Sequence, residues 1–118
     1  MTRDPAVYLR HILDCIARIE DYVWEGKEAF LGDTKTHDAV IRNLEVIGQA
    51  VKNLGTEALG ARNASVPWAA VAGLRNVLAH QYLGVDINLV WRIVERDLPS
   101  LKGAVERVLS DMQGLRSD

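Results

Sequence analysis

Apolar residues recur at steps of three and four along the first part of the chain, which is the spacing of one face of an amphipathic helix. The repeating positions are Leu9, Ile12, Leu13, Ile16, Ile19 and Val23. Charged residues, among them Arg10, Asp14 and Arg18, fall elsewhere on the helical wheel. The pattern predicts a first helix from Pro5 to about Trp24.

A second helix is predicted after the glycine-interrupted segment EGKEAFLGD. Either Thr34 or Thr36 can cap its N-terminus, and it ends at Leu54 because Gly55 follows. Its apolar positions alternate at steps of four and three: Val40, Leu44, Ile47, Val51 and Leu54. Such a narrow seam favours packing against another helix at a shallow angle.

Residues 56–64 are small and polar, and they are interpreted as a connection between helices. Ser65 can then cap a third helix with Pro67 in its first turn, where the missing N–H of proline does no harm. This helix is predicted to run to about Leu83, where Gly84 stops it.

The C-terminal part of the chain keeps one helical phase. Its apolar positions are Ile87, Val90, Trp91, Val94, Leu98, Leu101, Val105, Val108 and Met112. Asp86 can cap this segment, and Pro99 inside it predicts a kink or short break near Asp97.

The helical patterns together predict an all-α fold, an antiparallel bundle of four to five helices. Its 118 residues, 48% hydrophobic and 25% charged, suit a single domain over residues 1–118 with a core of its own. The formal net charge of −2 argues against a generally basic protein that coats nucleic acid. Any contact with nucleic acid must therefore be local.

Cysteine and histidine usage excludes two other kinds of site. The lone Cys15 rules out an intrachain disulfide, and it is interpreted as a buried thiol in a reducing cytoplasm. His11 and His37 have no metal-ligand spacing with each other or with His80, so both are interpreted as surface or structural residues and no metal site is predicted. The N-terminal region shows neither a signal peptide nor a membrane span.

The third predicted helix carries polar residues in unusual positions. One broad face collects Trp68, Val71, Leu74, Leu78 and Tyr82. Arg75 lies near the middle of that face. Asn76 and His80 share another flank, four residues apart, where an Asn side chain can hydrogen-bond an imidazole and orient it.

Structural explanations exist for these polar residues. An arginine on an apolar face often snorkels or pairs with a carboxylate of a neighbouring helix, and Glu45 or Asp38 could supply it. The second helix carries a polar stripe formed by Asp38, Arg42, Glu45 and Gln49. The stripe is either a solvated face, with an ion pair between Asp38 and Arg42, or the lining of a cleft between the two subunits of a dimer.

Arg75 and His80 also suggest a catalytic pair. On an ideal helix they lie about 140° and roughly 7.5 Å apart, so two such helices related by a two-fold axis could close a cleft with two copies of each. A histidine can take the proton of a ribose 2′-hydroxyl or protonate a leaving oxygen, while an arginine holds the phosphate. This chemistry cleaves RNA without a metal and spares DNA, which lacks the 2′-hydroxyl.

The sequence around these residues resembles HepT-like toxins of the HEPN ribonuclease superfamily. Arg75, His80 and Tyr82 have the spacing of the R-x4-H-x-Y signature. The flanking stretches RNLEVIGQAVKNL, PWAAVAGLRNVLAHQY and VDINLVWRIVERDLPSLK are similar to blocks of that family in order and spacing. The family often has a glutamate where this chain has Gln49.

The resemblance implies an all-helical homodimer whose composite cleft holds Arg75 and His80 of each subunit, with Asn76 as the orienting residue. It implies a metal-independent endoribonuclease acting on RNA, such as tRNA or mRNA, that needs no cofactor of its own. It also implies a partner, an MNT-type nucleotidyltransferase antitoxin that uses ATP and a divalent metal to transfer AMP to Tyr82. The added anion would block RNA entry and compete for the guanidinium of Arg75.

Two other functions are compatible with the sequence. In one, the chain is a non-catalytic helical module that binds the nucleotidyltransferase or presents substrates to it, and it cleaves no RNA in the presence of a chelator. In the other, the chain is a structural dimerisation bundle, and an Arg75→Leu substitution stabilises the fold and changes nothing else.

Overall fold

The computed structural model describes residues 4–79 and 86–117, and all regular structure in these ranges is helical. The helices are α1 (Pro5–Tyr22), α2 (Lys27–Leu31), α3 (Thr34–Leu54), α4 (Thr56–Arg62), α5 (Trp68–Ala72), α6 (Leu74–Ala79), α7 (Ile87–Arg92) and α8 (Leu98–Ser117), with a π-helical turn at Ile93–Asp97. The predicted all-α class is confirmed. The predicted end of the third helix, at Leu83 and Gly84, lies outside the described residues.

Helix α3 is the centre of the bundle, with α1 packed along one side and α5 and α6 along another, while α8 packs on α1. The apolar seams predicted for α1 and α3 supply much of the core, including Ile12, Ile16, Leu44 and Ile47. The Nζ of Lys102 lies 3.1 Å from a carboxylate oxygen of Glu20. This ion pair joins the start of α8 to the end of α1, as expected of antiparallel neighbours.

Cys15 is buried on α1, as the sequence predicts. Burial raises the pKa of its thiol, because the thiolate would lose its solvation; nearby Arg18 partly offsets this effect. The thiol is therefore a packing group rather than a nucleophile.

The N-cap of α3 is Asp33, and the prediction of Thr34 or Thr36 is wrong. An Asp33 carboxylate oxygen accepts hydrogen bonds from the backbone N–H groups of Lys35 (3.0 Å) and Thr36 (3.3 Å). The Thr36 hydroxyl donates to the other oxygen at 2.7 Å. Extended backbone at Asp33 places its carboxylate over the first turn, and these bonds, those from Thr36 foremost, hold the pKa of Asp33 below its ordinary value.

Two other predicted helix boundaries are confirmed. Helix α3 ends at Leu54, and Gly55 follows with φ of +95°, a backbone region that favours glycine. Asp86 caps α7, and its carboxylate accepts from the backbone N–H groups of Asn88 and Leu89.

The break predicted near Asp97 is a π-helical turn. The N–H of Leu98 bonds to the carbonyl of Ile93, five residues back. Pro99 lacks an N–H and its ring clashes with the carbonyl four residues earlier in a regular α-helix, so a wider turn accommodates it without ending the helix.

Helices α2 and α4 were not predicted from the sequence, which indicated connections between helices in both segments. Each short helix has one buried apolar anchor, Phe30 in α2 and Leu59 in α4. The Phe30 ring packs against His37 and Trp91, with ring centroids 4.9 and 5.4 Å apart. Tertiary packing, which local propensity does not report, therefore decides these two helices.

Helix α5 begins at Trp68 with Pro67 as its N-cap, so the predicted cap at Ser65 is wrong. The backbone N–H and the hydroxyl of Ser65 are instead bonded to the Asn63 side chain. The indole N–H of Trp68 donates to the Asn63 carbonyl at 2.7 Å, which secures this turn to the start of α5. Among the described helices, none is both long and apolar enough to cross a membrane.

Candidate active site

A glycine in the middle of α3 lets α5 and α6 come close to that helix. A Cβ atom on Gly48 would lie 2.9 Å from the carbonyl oxygen of Val71 and 3.4 Å from the backbone nitrogen of Arg75. The first distance is shorter than real Cβ contacts, so any side chain here would push the helices apart. Gly48 thus sets the position of the first turn of α6 over α3.

The chain bends at Gly73, between α5 and α6. The Gly73 N–H bonds to the carbonyl of Ala69 at 3.0 Å, and the Gly73 carbonyl accepts from Val77 at 3.1 Å. Each bond joins residues four apart, as in an α-helix, so the helical hydrogen-bond pattern continues through Gly73. The third predicted helix is therefore two short helices as far as Ala79, and Arg75 lies in the first turn of the second.

The Arg75 side chain is exposed, although the helical wheel places it on an apolar face. Its Nη1 donates to the Oε1 of Gln49 at 3.4 Å, and the Nε2 of Gln49 donates to the Oδ1 of Asn53 at 3.0 Å. The expected carboxylate partner, Glu45 or Asp38, is not used in the described part of the chain. The close approach at Gly48 places Arg75 over the Gln49 turn of α3 instead, so its partner among the described residues is a neutral amide.

A cavity of about 350 Å³ lies beside Arg75, between α1, α3 and α6. We call it the α1 cavity. In addition to Arg75, the polar residues that line the α1 cavity are Tyr8, His11, Arg42, Glu45, Gln49 and Asn53. Three residues of the polar stripe predicted on α3, Arg42, Glu45 and Gln49, therefore line this cavity, and Arg42 is also exposed to solvent.

The predicted cleft-lining residues separate in the structure. Arg42 and Glu45 line the α1 cavity, whereas Asp38 is exposed one turn earlier and is not part of this lining. The alternative ion pair between Asp38 and Arg42 does not form among the residues that the structure describes.

The two histidines that the structure describes, His11 and His37, have different roles. His37 has the structural role expected of it, because its Nε2 lies 2.7 Å from the Phe30 carbonyl oxygen. His11, interpreted from sequence as surface or structural, lines the α1 cavity with Arg75. Its spacing of three from Tyr8 places both residues on one side of α1, but the sequence does not reveal that this side meets the polar stripe of α3.

A second cavity, of about 300 Å³, lies on the other side of the Arg75 and Gln49 pair. Lys52 and Asn76 contribute polar groups to it. The guanidinium of Arg75 thus lies between two cavities, and Asn76 shares one of them with it.

His80 and Tyr82 lie outside the described residues, so the predicted pairs of His80 with Arg75 and Asn76 stay predictions. Within the described ranges, no group of three or more His, Cys, Asp or Glu side chains has a geometry that could hold a metal ion. The described site thus consists of an exposed arginine, its amide partner and two flanking cavities.

Comparison with known proteins places the chain in a family. A protein-family model described as "Ribonuclease HepT-like" matches residues 12–108. The chain is 41% identical over 109 residues to the "Probable ribonuclease HepT" of Thermococcus cleftensis, covering 92% of this chain and 98% of that protein. No solved structure matches it.

Two further relatives agree with this match. "Putative RNase TTE0752" of Caldanaerobacter subterraneus subsp. tengcongensis is 37% identical over 91% of this chain and 96% of its own length. "Gamma-glutamylcyclotransferase and putative RNase MJ0434" of Methanocaldococcus jannaschii is 38% identical over 95% of this chain, which spans 50% of that protein's length. The extent of the family match and these identities lead to one conclusion: the chain belongs to the HepT-like ribonuclease family.

Proposed function

We propose that this protein is a metal-independent endoribonuclease, active as a homodimer, and the toxin of a toxin–antitoxin pair. The family membership and the relatives named as ribonucleases support RNA as the substrate. The observation that carries the proposal is the state of Arg75, which is exposed between two cavities and bonded only to a neutral amide among the described residues. A guanidinium in this state is available to a phosphate.

In the proposed reaction, His80 takes the proton of a ribose 2′-hydroxyl. The 2′-oxygen bonds to the adjacent phosphorus while Arg75 stabilises the negative charge that grows on the phosphoryl oxygens. The bond from phosphorus to the 5′-oxygen then breaks, and that oxygen takes a proton from the His80 of the other subunit. The products carry a 2′,3′-cyclic phosphate and a 5′-hydroxyl.

The homodimer follows from the need for two proton-transfer groups. One chain supplies a single His80, whereas a two-fold axis beside α6 supplies a second histidine and a second Arg75 to the same cleft. In this arrangement Asn76 orients the imidazole, and the cleft is closed only when both subunits are present.

Regulation is proposed to act on Tyr82, two residues after the catalytic histidine. A nucleotidyltransferase antitoxin would transfer AMP from ATP to the phenolic oxygen, with release of pyrophosphate. The new phosphodiester places a negative charge in the motif, where it competes with RNA for Arg75. The chain would thereby be switched off without unfolding.

The first experiment measures cleavage of a 5′-labelled single-stranded RNA by protein purified without its partner, in the presence of EDTA. We expect cleavage with cyclic phosphate ends, loss of at least a hundredfold in Arg75→Ala and His80→Ala, and no cleavage of the same DNA sequence. Arg107→Ala, which removes an exposed arginine of α8, is the matched control and should cleave as wild type does. Full cleavage by His80→Ala would overturn the mechanism.

The second experiment tests the switch by intact-mass spectrometry after co-expression with the nucleotidyltransferase. We expect a mass increase of whole AMP units, loss of RNA cleavage, and no modification of Tyr82→Phe. If the protein binds the nucleotidyltransferase but neither cuts RNA nor gains mass, the non-catalytic binding module is the correct function.

A further inference from the structure

Four polar side chains of the α1 cavity have no protein partner among the described residues. Tyr8 and His11 project from α1, and Arg42 and Glu45 from α3. Glu45 is half-buried, and it forms an ion pair neither with Arg42, three residues away on the same helix, nor with Arg75 on the facing helix. Its carboxylate oxygens are therefore available to a ligand that donates hydrogen bonds.

The mixture of charges restricts the class of ligand. Arg42 and Arg75 would repel a metal cation, and Glu45 would repel a simple anion placed deep in the cavity. A ligand that carries both an anionic group and hydrogen-bond donors matches this lining. A nucleotide has both, in its phosphate and in the amino group of its base, and the ring of Tyr8 offers a surface on which a base can stack.

The size and position of the cavity agree with one nucleotide of a bound strand. Its volume of about 350 Å³ falls at the lower end of the range for small-molecule sites, about 300–1,000 Å³. It also shares Arg75 and Gln49 with the cavity on the other side, so a strand whose phosphate rests on Arg75 places a neighbouring nucleotide here.

We propose that the α1 cavity binds the nucleotide next to the scissile phosphate and that Glu45 selects a base with an exocyclic amino group. This inference rests on the proposed ribonuclease function. An ionised carboxylate only accepts hydrogen bonds, so it pairs with the amino groups of adenine, cytosine and guanine. Uracil has a carbonyl oxygen where cytosine has its amino group; this oxygen repels the carboxylate, and only the ring N3–H of uracil can donate to it. Arg42 and His11 contact the phosphate of the same nucleotide.

The test is the sequence preference of cleavage, read by sequencing the ends produced from a random single-stranded RNA library. Wild type should disfavour uracil by about tenfold at one fixed position beside the cut. Glu45→Gln, which offers a donor as well as an acceptor, should reduce this preference to less than about threefold. Glu106→Gln removes an exposed carboxylate of α8 and should keep the wild-type preference.

A binding measurement separates failure of this inference from failure of the proposed function. Labelled RNA tetranucleotides that differ in one base are titrated into His80→Ala protein, with and without Glu45→Gln, and fluorescence anisotropy is recorded. Arg42→Ala in the same background should weaken all sequences alike and lower the slope of log affinity against log salt by about 0.7.

Four outcomes are decisive. A preference against uracil that depends on Glu45 in both cleavage and binding supports the subsite and the ribonuclease function. The same preference in binding, with no cleavage of any RNA, supports the subsite while the ribonuclease function fails. Cleavage whose base preference is identical in wild type and Glu45→Gln overturns the subsite and leaves the ribonuclease function standing. Absence of both cleavage and binding overturns both. Melting temperatures that agree among the variants exclude misfolding as the cause.

Discussion

Replacing Gly48 with alanine tests whether the close contact between α3 and the α5–α6 bend positions Arg75. The new Cβ would lie 2.9 Å from the Val71 carbonyl oxygen, about 0.5 Å inside ordinary van der Waals contact. It would also lie 3.5 Å from the Ala72 carbonyl oxygen. Both atoms belong to backbone, so the clash can be relieved only by moving α5 and α6 away from α3.

The free energy of unfolding should fall by about 1 kcal/mol, and by as much as about 2. Overpacking a well-packed contact costs about 1–3 kcal/mol. Alanine recovers about 0.5–1 kcal/mol of this, because it is a better helix former than glycine. For a chain of this length a loss of 1–2 kcal/mol lowers the melting temperature by roughly 3–10 °C.

Thermal unfolding followed by circular dichroism, at one fixed protein concentration, measures the effect. Gly60→Ala is the matched control, because Gly60 lies in α4 with nothing within 4 Å of a Cβ at that position. The control should gain about 0.5–1 kcal/mol from helix propensity alone. The two substitutions should therefore change stability in opposite directions.

The RNA cleavage assay adds a second readout. Movement of α6 away from α3 would break the 3.4 Å bond between Arg75 and Gln49, so folded Gly48→Ala protein should cleave at least several-fold more slowly than wild type. If Gly48→Ala is as stabilising as Gly60→Ala, the close approach does not position the helices and the reasoning is refuted.

Three further predictions concern stability and reactivity. Phe30→Ala should lower the free energy of unfolding, measured by urea denaturation, by about 3–5 kcal/mol, because this buried ring anchors α2. Phe30→Leu should lower it much less, and an equal loss of unfolding free energy in both variants would contradict this packing role. Cys15 should react with a thiol reagent at pH 8 far more slowly in the native protein than in urea, since burial raises its pKa and blocks access; equal rates would contradict this. Asp33→Asn should be less stable than wild type near pH 7, because the lowered folded-state pKa of Asp33 stabilises the fold above the unfolded value near 3.8. That stabilisation disappears as pH falls through the folded-state pKa, so the two melting temperatures should converge there, and a constant difference would refute the assignment.

The long amphipathic helices could be predicted from sequence because their burial follows a period that the chain itself displays. The seam from Val40 to Leu54 and the cap at Asp86 required no knowledge of the rest of the fold. Helices α2 and α4 could not be predicted, since each depends on one side chain, Phe30 or Leu59, reaching a core made by distant residues. The cap of α3 was predicted wrongly although its sequence held the answer, because Asp33 precedes both threonines and aspartate is the better N-cap residue.

Some residues of the candidate site could be predicted from the sequence, but the contacts between them could not. Motif spacing identified Arg75, but its partner depends on how closely two helices approach, and Gly48 decides that distance. The polar stripe of α3 suggested the lining of a dimer cleft, which stays a prediction; Arg42 and Glu45 line a cavity within one chain. His11 was missed because its neighbours across the cavity are more than thirty positions away in sequence.

The π-helical turn before Pro99 sets the rotation of α8 about its axis relative to α7. It contains one residue more than a regular turn, and that residue rotates everything beyond it by about 100° relative to a uniform helix. Buried residues stand on both sides of this turn, among them Val90 and Trp91 in α7 and Leu101 and Val105 in α8. Deleting a single residue between positions 93 and 97 would let this turn close as a regular α-helical turn, so α8 should keep its orientation and Lys102 should stay beside Glu20.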